Sequence, residues 1–246
     1  MPDPVTAAVG SSVPFVRLQD VVKTYRTAAG DVPALTGVSA GFRRGEFIGI
    51  VGKSGAGKST LVNMITGVDR ATSGRVEVGG VSIMDLEEDE IALWRGCNVG
   101  VIYQSFELLP QVSLLENVVL PMDFAGSYQG RGSLARAEAL LAEVGLADHV
   151  HKTPTRISGG QQQRVAIARA LANDPSLVVA DEPMGNLDSA TAEEILRLFE
   201  RLVDRGKTVV VVTHDETLLG RFSRVLTIAD GKLVSGQPDT DAGSHS

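Results

Sequence analysis

Apolar and polar residues alternate through FVRLQDVVKTY (residues 15–25), a period of two that predicts a strand with one solvated face. Three short stretches are built on aliphatic runs: GEFIGIVG (45–52), LVVAD (177–181) and TVVVVT (208–213). Aliphatic runs of that length predict strands buried on both faces, as in a parallel sheet. RVEVGGVSI (75–83) predicts a hairpin about the Gly79–Gly80 pair. Between these segments the period becomes helical: STLVNMIT after residue 58, the stretch 134–144, 161–172, and TAEEILRLFERLV from 191. Strands alternating with helices predict an α/β fold, a parallel sheet covered on both faces. From about 106 to 165 helical patterns occur with few strand signals, which predicts an inserted helical subdomain. The expected domain spans 15–236, between a disordered leader (1–14) and a disordered polar tail (237–246). No internal repeat is evident.

Composition narrows the classes of function. A chain of 246 residues buries a sizeable core, and 43% hydrophobic with 22% charged residues is ordinary for a globular protein. Aromatics at 4% argue against a stacking platform for single-stranded nucleic acid. A net charge of -7 leaves no basic footprint, so no nucleic-acid partner is expected. One cysteine, Cys97, rules out an internal disulfide and a CxxC metal knuckle. The first residues lack the positive start and apolar centre of a secretion signal. No stretch approaches the length needed to span a bilayer, so work at a membrane requires another polypeptide to hold the chain there.

Residues Gly52 to Ser59 fit G-x-x-x-x-G-K-[ST], after a predicted buried strand and before a predicted helix. In that context the loop turns backbone N–H groups around phosphate oxygens, and the helix that follows presents its positive end. Lys58 is placed to reach the β- and γ-phosphates, and the Ser59 hydroxyl to ligate Mg²⁺. A chance match is expected in about one chain in a hundred of this length. Asp181 and Glu182 end the LVVAD strand, where open α/β sheets bind ligands. Alone, such a pair reads as a solvated loop. Beside a phosphate loop, Asp181 is suited to hold Mg²⁺ and Glu182 to accept a proton from an attacking water.

A second anion site lies in ISGGQQQRVAIARA (157–170). Ser158 and Gln161 have the spacing of a capping box, and Gly159 and Gly160 bare the amides of the helix start. Val165, Ala168 and Leu171 or Ala172 give that helix a buried face, and Asp174-Pro175 ends it. A purely structural cap needs neither two glycines nor so many open amides. One triphosphate is cradled by one phosphate loop, so the second site is expected to meet the γ-phosphate of a nucleotide held by another copy.

At this point the chain resembles the ATP-binding cassette (ABC) ATPases, from about Phe15 to Val234 and with the motifs in the family order. ISGGQ is similar to the family signature, carried here by Ser158, Gly159, Gly160 and Gln161. The run Gly52, Lys53, Ser54, Gly55, Ala56, Gly57, Lys58, Ser59 and Thr60 is similar to the Walker A loop, and Asp181 with Glu182 to Walker B and its catalytic carboxylate. The resemblance makes Tyr25 the aromatic that stacks on adenine and Gln104 the glutamine that senses Mg²⁺ and the membrane partner. It makes Asp188 of GNLD the D-loop residue and His214 of VVTHD the switch histidine on the γ-phosphate. It implies a P-loop NTPase fold, a RecA-like parallel core with an antiparallel β subdomain and the helical insertion. It also implies ATP and Mg²⁺ as cofactors, and catalysis by Glu182, His214 and Lys58. Taken singly, Tyr25 reads as packing, Gln104 as a polar strand end, Asp188 as a helix N-cap, and His214, like His149, His151 and His245, as an ordinary histidine. Ile157, Ala56 and Met184 depart from the usual residues; Met184 is expected to alter packing near the catalytic pair.

Within that family, YQSFELLPQVSLLENVVLPM (103–122) looks like the partner-contacting region of the lipoprotein-releasing, macrolide-efflux and antimicrobial-peptide-resistance group. The resemblance implies a second ATPase subunit, a homodimer, and an integral membrane permease. It places the chain on the cytoplasmic face of the inner or plasma membrane through that permease. Met122, Phe124 and the segment Phe106 to Leu109 are candidates for the groove taking the permease's coupling helix, their plain alternative being the core of the helical subdomain. The competing class is a soluble ABC ATPase, such as one of iron–sulfur assembly. The chromosome and repair members carry coiled coils that residues 61–157 lack, and translation members carry two cassettes.

Overall fold

The computed structural model describes residues 14–235, apart from Ala29 and Asn186. The expected leader, save Pro14, and the tail lie outside them. The three aliphatic runs become strands β3 (Phe47–Val51), β7 (Leu177–Asp181) and β8 (Thr208–Thr213). With β6 (Val99–Ile102), β9 (Arg224–Ala229) and β10 (Lys232–Ser235) they form a six-stranded sheet ordered β10-β9-β3-β8-β7-β6. All neighbours pair in parallel except β10 on β9. Alternation along each strand feeds two cores. Val210, Val212, Leu177, Val179, Ile48 and Ile50 face one, and Val209, Val211, Val178 and Ala180 face the other.

The first core is closed by an antiparallel sheet ordered β2-β1-β4-β5, from β1 (Val16–Thr27), β2 (Gly30–Phe42), β4 (Ser73–Val78) and β5 (Val81–Ser82). The hairpin turns at Gly79–Gly80 as its sequence predicts. Helix α1 (Lys58–Thr66) shares this core through Leu61, Val62, Met64 and Ile65. The second core receives α3 (Leu114–Phe124), α4 (Arg131–Glu143), α5 (Gly159–Ala170) and α6 (Ser189–Asp204). Helix α2 (Glu88–Asn98) buries only Ile91. With so little apolar periodicity its sequence gives no helical signal, although Glu87 and Glu90 form a capping box.

Register places the chemistry. Val51 stands opposite Thr213, and Asp181 opposite Val212, so β3, β7 and β8 end at one edge of the sheet. The loops holding Gly52, Glu182 and His214 leave from that edge together.

Candidate active site

Gly52 begins the loop after β3 with φ +156°, and a Cβ there would stand 2.2 Å from the Ile228 carbonyl oxygen of β9. Gly57, the N-cap of α1, has φ +105° and equally little room: a Cβ would lie 2.6 Å from the Ala34 oxygen of β2. Both positions therefore require glycine. No side chain caps α1, so its first amides face outward into the loop. Lys58 is only 8% exposed and folds back, its Nζ donating to the carbonyls of Gly52 (2.8 Å) and Lys53 (3.1 Å). Ala56 is buried, its carbonyl accepting the Gly231 amide. Its departure from the usual residue costs nothing where only backbone acts.

A cavity of about 690 Å³ opens over this loop. Ser54, Gly55, Gly57, Lys58, Ser59 and Thr60 form its floor. Its walls are Gln104 beyond β6, Asp181 and Glu182 at the end of β7, His214 beyond β8, and Ala34. Glu182 is held by its own amide, which donates to the Val212 carbonyl at 3.0 Å, in a left-handed conformation with φ 51°. Its Oε2 lies 2.5 Å from Nδ1 of His214. The carboxylate is largely enclosed and the imidazole open, so the pair faces the cavity from an enclosed base to an exposed tip. Thr217 donates from its side chain and backbone to Asp215, holding that carboxyl below the ordinary carboxylate range beside His214. Ala34 is a wall residue that no sequence pattern signals; only the approach of β2 to the loop puts it there.

Other sequence-derived site residues lie elsewhere. Tyr25 does not line the cavity. It pairs across strands with Val32, two residues along β2 from Ala34, and Lys23 Nζ lies 4.8 Å from its ring centroid. Ser158, Gly159, Gly160, Gln161 and Asp188 are also outside the cavity but close to one another. Ser158 and Gln161 make the reciprocal capping box that their spacing predicts, and α5 begins at Gly159, directly after that cap. A Cβ on Gly160 would meet Thr191 Cγ2 at 2.9 Å. Thr191 in turn binds the Asp188 carboxylate, which caps α6; hydrogen bonds from the Thr191 backbone and side chain hold that carboxyl below its usual range. Asp188 is the helix N-cap of its plain reading, whatever else it does. Gly159 has open space around it. Met184 packs, half-buried, against the second core.

Among the described residues no group of three or more His, Cys, Asp or Glu stands ready to hold a metal ion. The cavity instead brings together the Asp181 carboxylate, the Ser59 hydroxyl and the Gln104 amide, oxygen donors that fit a Mg²⁺ sharing its coordination with phosphates. Among the same residues no helix is long and apolar enough to cross a membrane. A second cavity, about 480 Å³, lies between α2, β6, α3 and α5, lined in part by Leu93, Arg95, Tyr103, Phe124 and Arg169. Phe124 is 75% exposed, whereas Met122 is 2% exposed and belongs to the core, which corrects its assignment to the groove. Arg169 donates to the carbonyls of Phe106 and Glu107, fixing that segment at the groove's end.

The ABC transporter family pattern matches residues 35–185. The chain is 43% identical to the lipoprotein-releasing system ATP-binding protein LolD of Anaeromyxobacter dehalogenans, over 95% of this chain and 98% of that one. It is 45% identical to the macrolide export ATP-binding/permease protein MacB of Syntrophobacter fumaroxidans over 93% of its length, but spans only 32% of that relative. Among solved structures, the dimeric post-hydrolysis state of the ATP-binding cassette MJ0796 bound to ADP and Pi superposes with a TM-score of 0.85 at 40% identity, covering 91% of this chain and 98% of that one. With a phosphate loop, an acidic strand end and a histidine on one cavity, these likenesses fit the geometry: the chain belongs to the ABC transporter family, as an ATP-binding cassette ATPase working with ATP and Mg²⁺.

Proposed function

We propose that this chain is the ATP-hydrolysing subunit of an ABC transporter, acting as a homodimer that drives a separate integral membrane permease from the cytoplasmic face of the inner or plasma membrane. One observation carries the reading. Glu182 and His214 share a cavity with the phosphate loop, while the Ser158–Gln161 signature of the same chain does not. Two copies meeting head to tail give each triphosphate both sets of groups. Lys58 and the loop amides hold the phosphates, Tyr25 takes the base, and the partner's signature closes on the γ-phosphate, with Asp188 beside it. Ser59, Asp181 and Gln104 would hold Mg²⁺, which would supply positive charge against the phosphates. Glu182 orients water and takes its proton, and His214 steadies the γ-phosphate. Binding of ATP closes the dimer, hydrolysis opens it, and the motion is the output. The groove with exposed Phe124 is where that motion passes to the permease, and it favours this reading over a soluble iron–sulfur assembly ATPase. Likeness to the LolD and MacB relatives supports an exporter or a mechanically acting system.

The Glu182→Gln chain is expected to bind ATP, elute as a dimer with ATP in size-exclusion chromatography with light scattering, and lose turnover. Normal hydrolysis by that variant would overturn the assignment.

A further inference from the structure

His214 is the first residue beyond β8 and its side chain is exposed, so the strand alone does not fix the imidazole. The segment after it is a two-turn 3₁₀ stretch (Glu216–Arg221), capped by Asp215 and ending where Phe222 packs edge-on to Phe47. Arg221, its last residue, reaches across to α6. Its Nε donates to Glu200 Oε1 at 2.8 Å and a terminal nitrogen donates to Glu193 Oε2 at 2.9 Å. Glu193 and Glu200 lie two turns apart, on one face of α6. Arg197 holds the other oxygen of Glu193 at 2.8 Å, so the acceptor is itself fixed. Helix α6 begins at Asp188, touches Gly160 through Thr191, and joins α5 through Glu194 and Arg164 at 3.2 Å.

We propose that Arg221 is a positioning residue for His214, clamping the segment that follows the histidine onto α6. The inference rests on the catalytic reading of Glu182 and His214 given above. The clamp makes the His214–Glu182 contact depend on where α6 stands, and α6 carries Asp188 and abuts the signature helix. A shift of α6 on engagement of Asp188 or the signature is thereby passed to the histidine without leaving the chain. Arg221 itself does not line the cavity of the phosphate loop. Its two carboxylates raise the guanidinium further above its already high range, so the clamp stays charged wherever the enzyme works.

The test is steady-state hydrolysis by the full chain carrying Arg221→Ala or Arg221→Lys, with His214→Ala as reference and thermal melting of each. Misplacing a reacting group without removing it lowers turnover, so Arg221→Ala should lower kcat about tenfold and leave KM for ATP within about twofold. The melting temperature should move by less than about 4 °C, because exposed ion pairs add little to global stability. Arg221→Lys should recover most of the turnover, since one charged donor still reaches either carboxylate. An unchanged kcat in Arg221→Ala with an inactive His214→Ala overturns this inference alone. Normal turnover in His214→Ala overturns the reading of the site. A fall in kcat that tracks a lower melting temperature and is not restored by lysine makes Arg221 a fold residue and overturns the proposal.

Discussion

Gly52 and Glu182 hold the site in backbone conformations that most residues avoid, and they do so for opposite reasons. Glu182 has a side chain yet keeps φ 51°, at a cost of about 1 kcal/mol. Its amide bond to Val212 and its contact with His214 keep it there. Gly52 has no such choice, since any Cβ meets the Ile228 carbonyl. A Gly52→Ala chain must push β9 aside, with a loss of about 3 kcal/mol of unfolding free energy. Urea unfolding measures this, and an unchanged midpoint would mean that β9 yields freely. Only the family resemblance singles out His214, whereas Lys58, Ser59, Asp181 and Glu182 were legible because each ends or follows a strand, or opens a helix, whose pattern is plain in the sequence. Ala34 and Arg221 were not, because each acts through a neighbour far away in sequence: Ala34 approaches Gly57, and Arg221 grips α6.

Among the elements, those read from sequence are the ones with strong local signals. The Ser158–Gln161 box set the start of α5, and aliphatic runs set β3, β7 and β8. Strands β6 and β9 are short and carry glycine or polar residues, and β2 is mostly exposed over its first half, so their pairing decides them rather than their pattern. The tie between the antiparallel sheet and the end of the phosphate helix is another pairing of this kind. Lys23 of β1 donates to Asp69 Oδ1 at 2.6 Å and to the Arg70 carbonyl at 2.8 Å. Burial pushes the Asp69 carboxyl up, but hydrogen bonds from Lys23, the Arg70 amide and Tyr25 outweigh it and hold the group below its ordinary range. A depressed carboxyl contributes stability that is complete above its unfolded pKa and fades as pH falls through the lower folded value. The wild type should therefore exceed Asp69→Asn by about 1 kcal/mol or less from neutral pH down to about pH 4, the difference closing only below that. Denaturant titrations across that range decide it; a difference already gone by about pH 6 would show that Asp69 is not the ionised partner of Lys23.

The whole molecule is two cores pressed on one parallel sheet, and the site sits where neither core reaches: at the ends of β3, β7 and β8. Strands that alternate side chains between the cores cannot spare residues for chemistry along their length. The cavity-lining groups therefore gather at the strand ends, the start of α1 and the loops between them. That arrangement makes ligand and fold a linked equilibrium. A ligand that binds only the folded chain stabilises it by about 2.7 kcal/mol at about 100 times its Kd, worth roughly 5–10 °C in melting temperature for a domain of this size. Mg²⁺–ATP should raise the melting temperature of the Glu182→Gln chain by that order, and chelating the Mg²⁺ should remove much of the gain. Adding Lys58→Ala should abolish the shift, because Lys58 lies buried at the cavity floor with its ammonium among the carbonyls of Gly52 and Lys53. If Glu182 only orients water, the Glu182→Gln shift survives at wild-type size or larger. If the double variant still responds fully to ATP, the phosphates are held somewhere other than this loop.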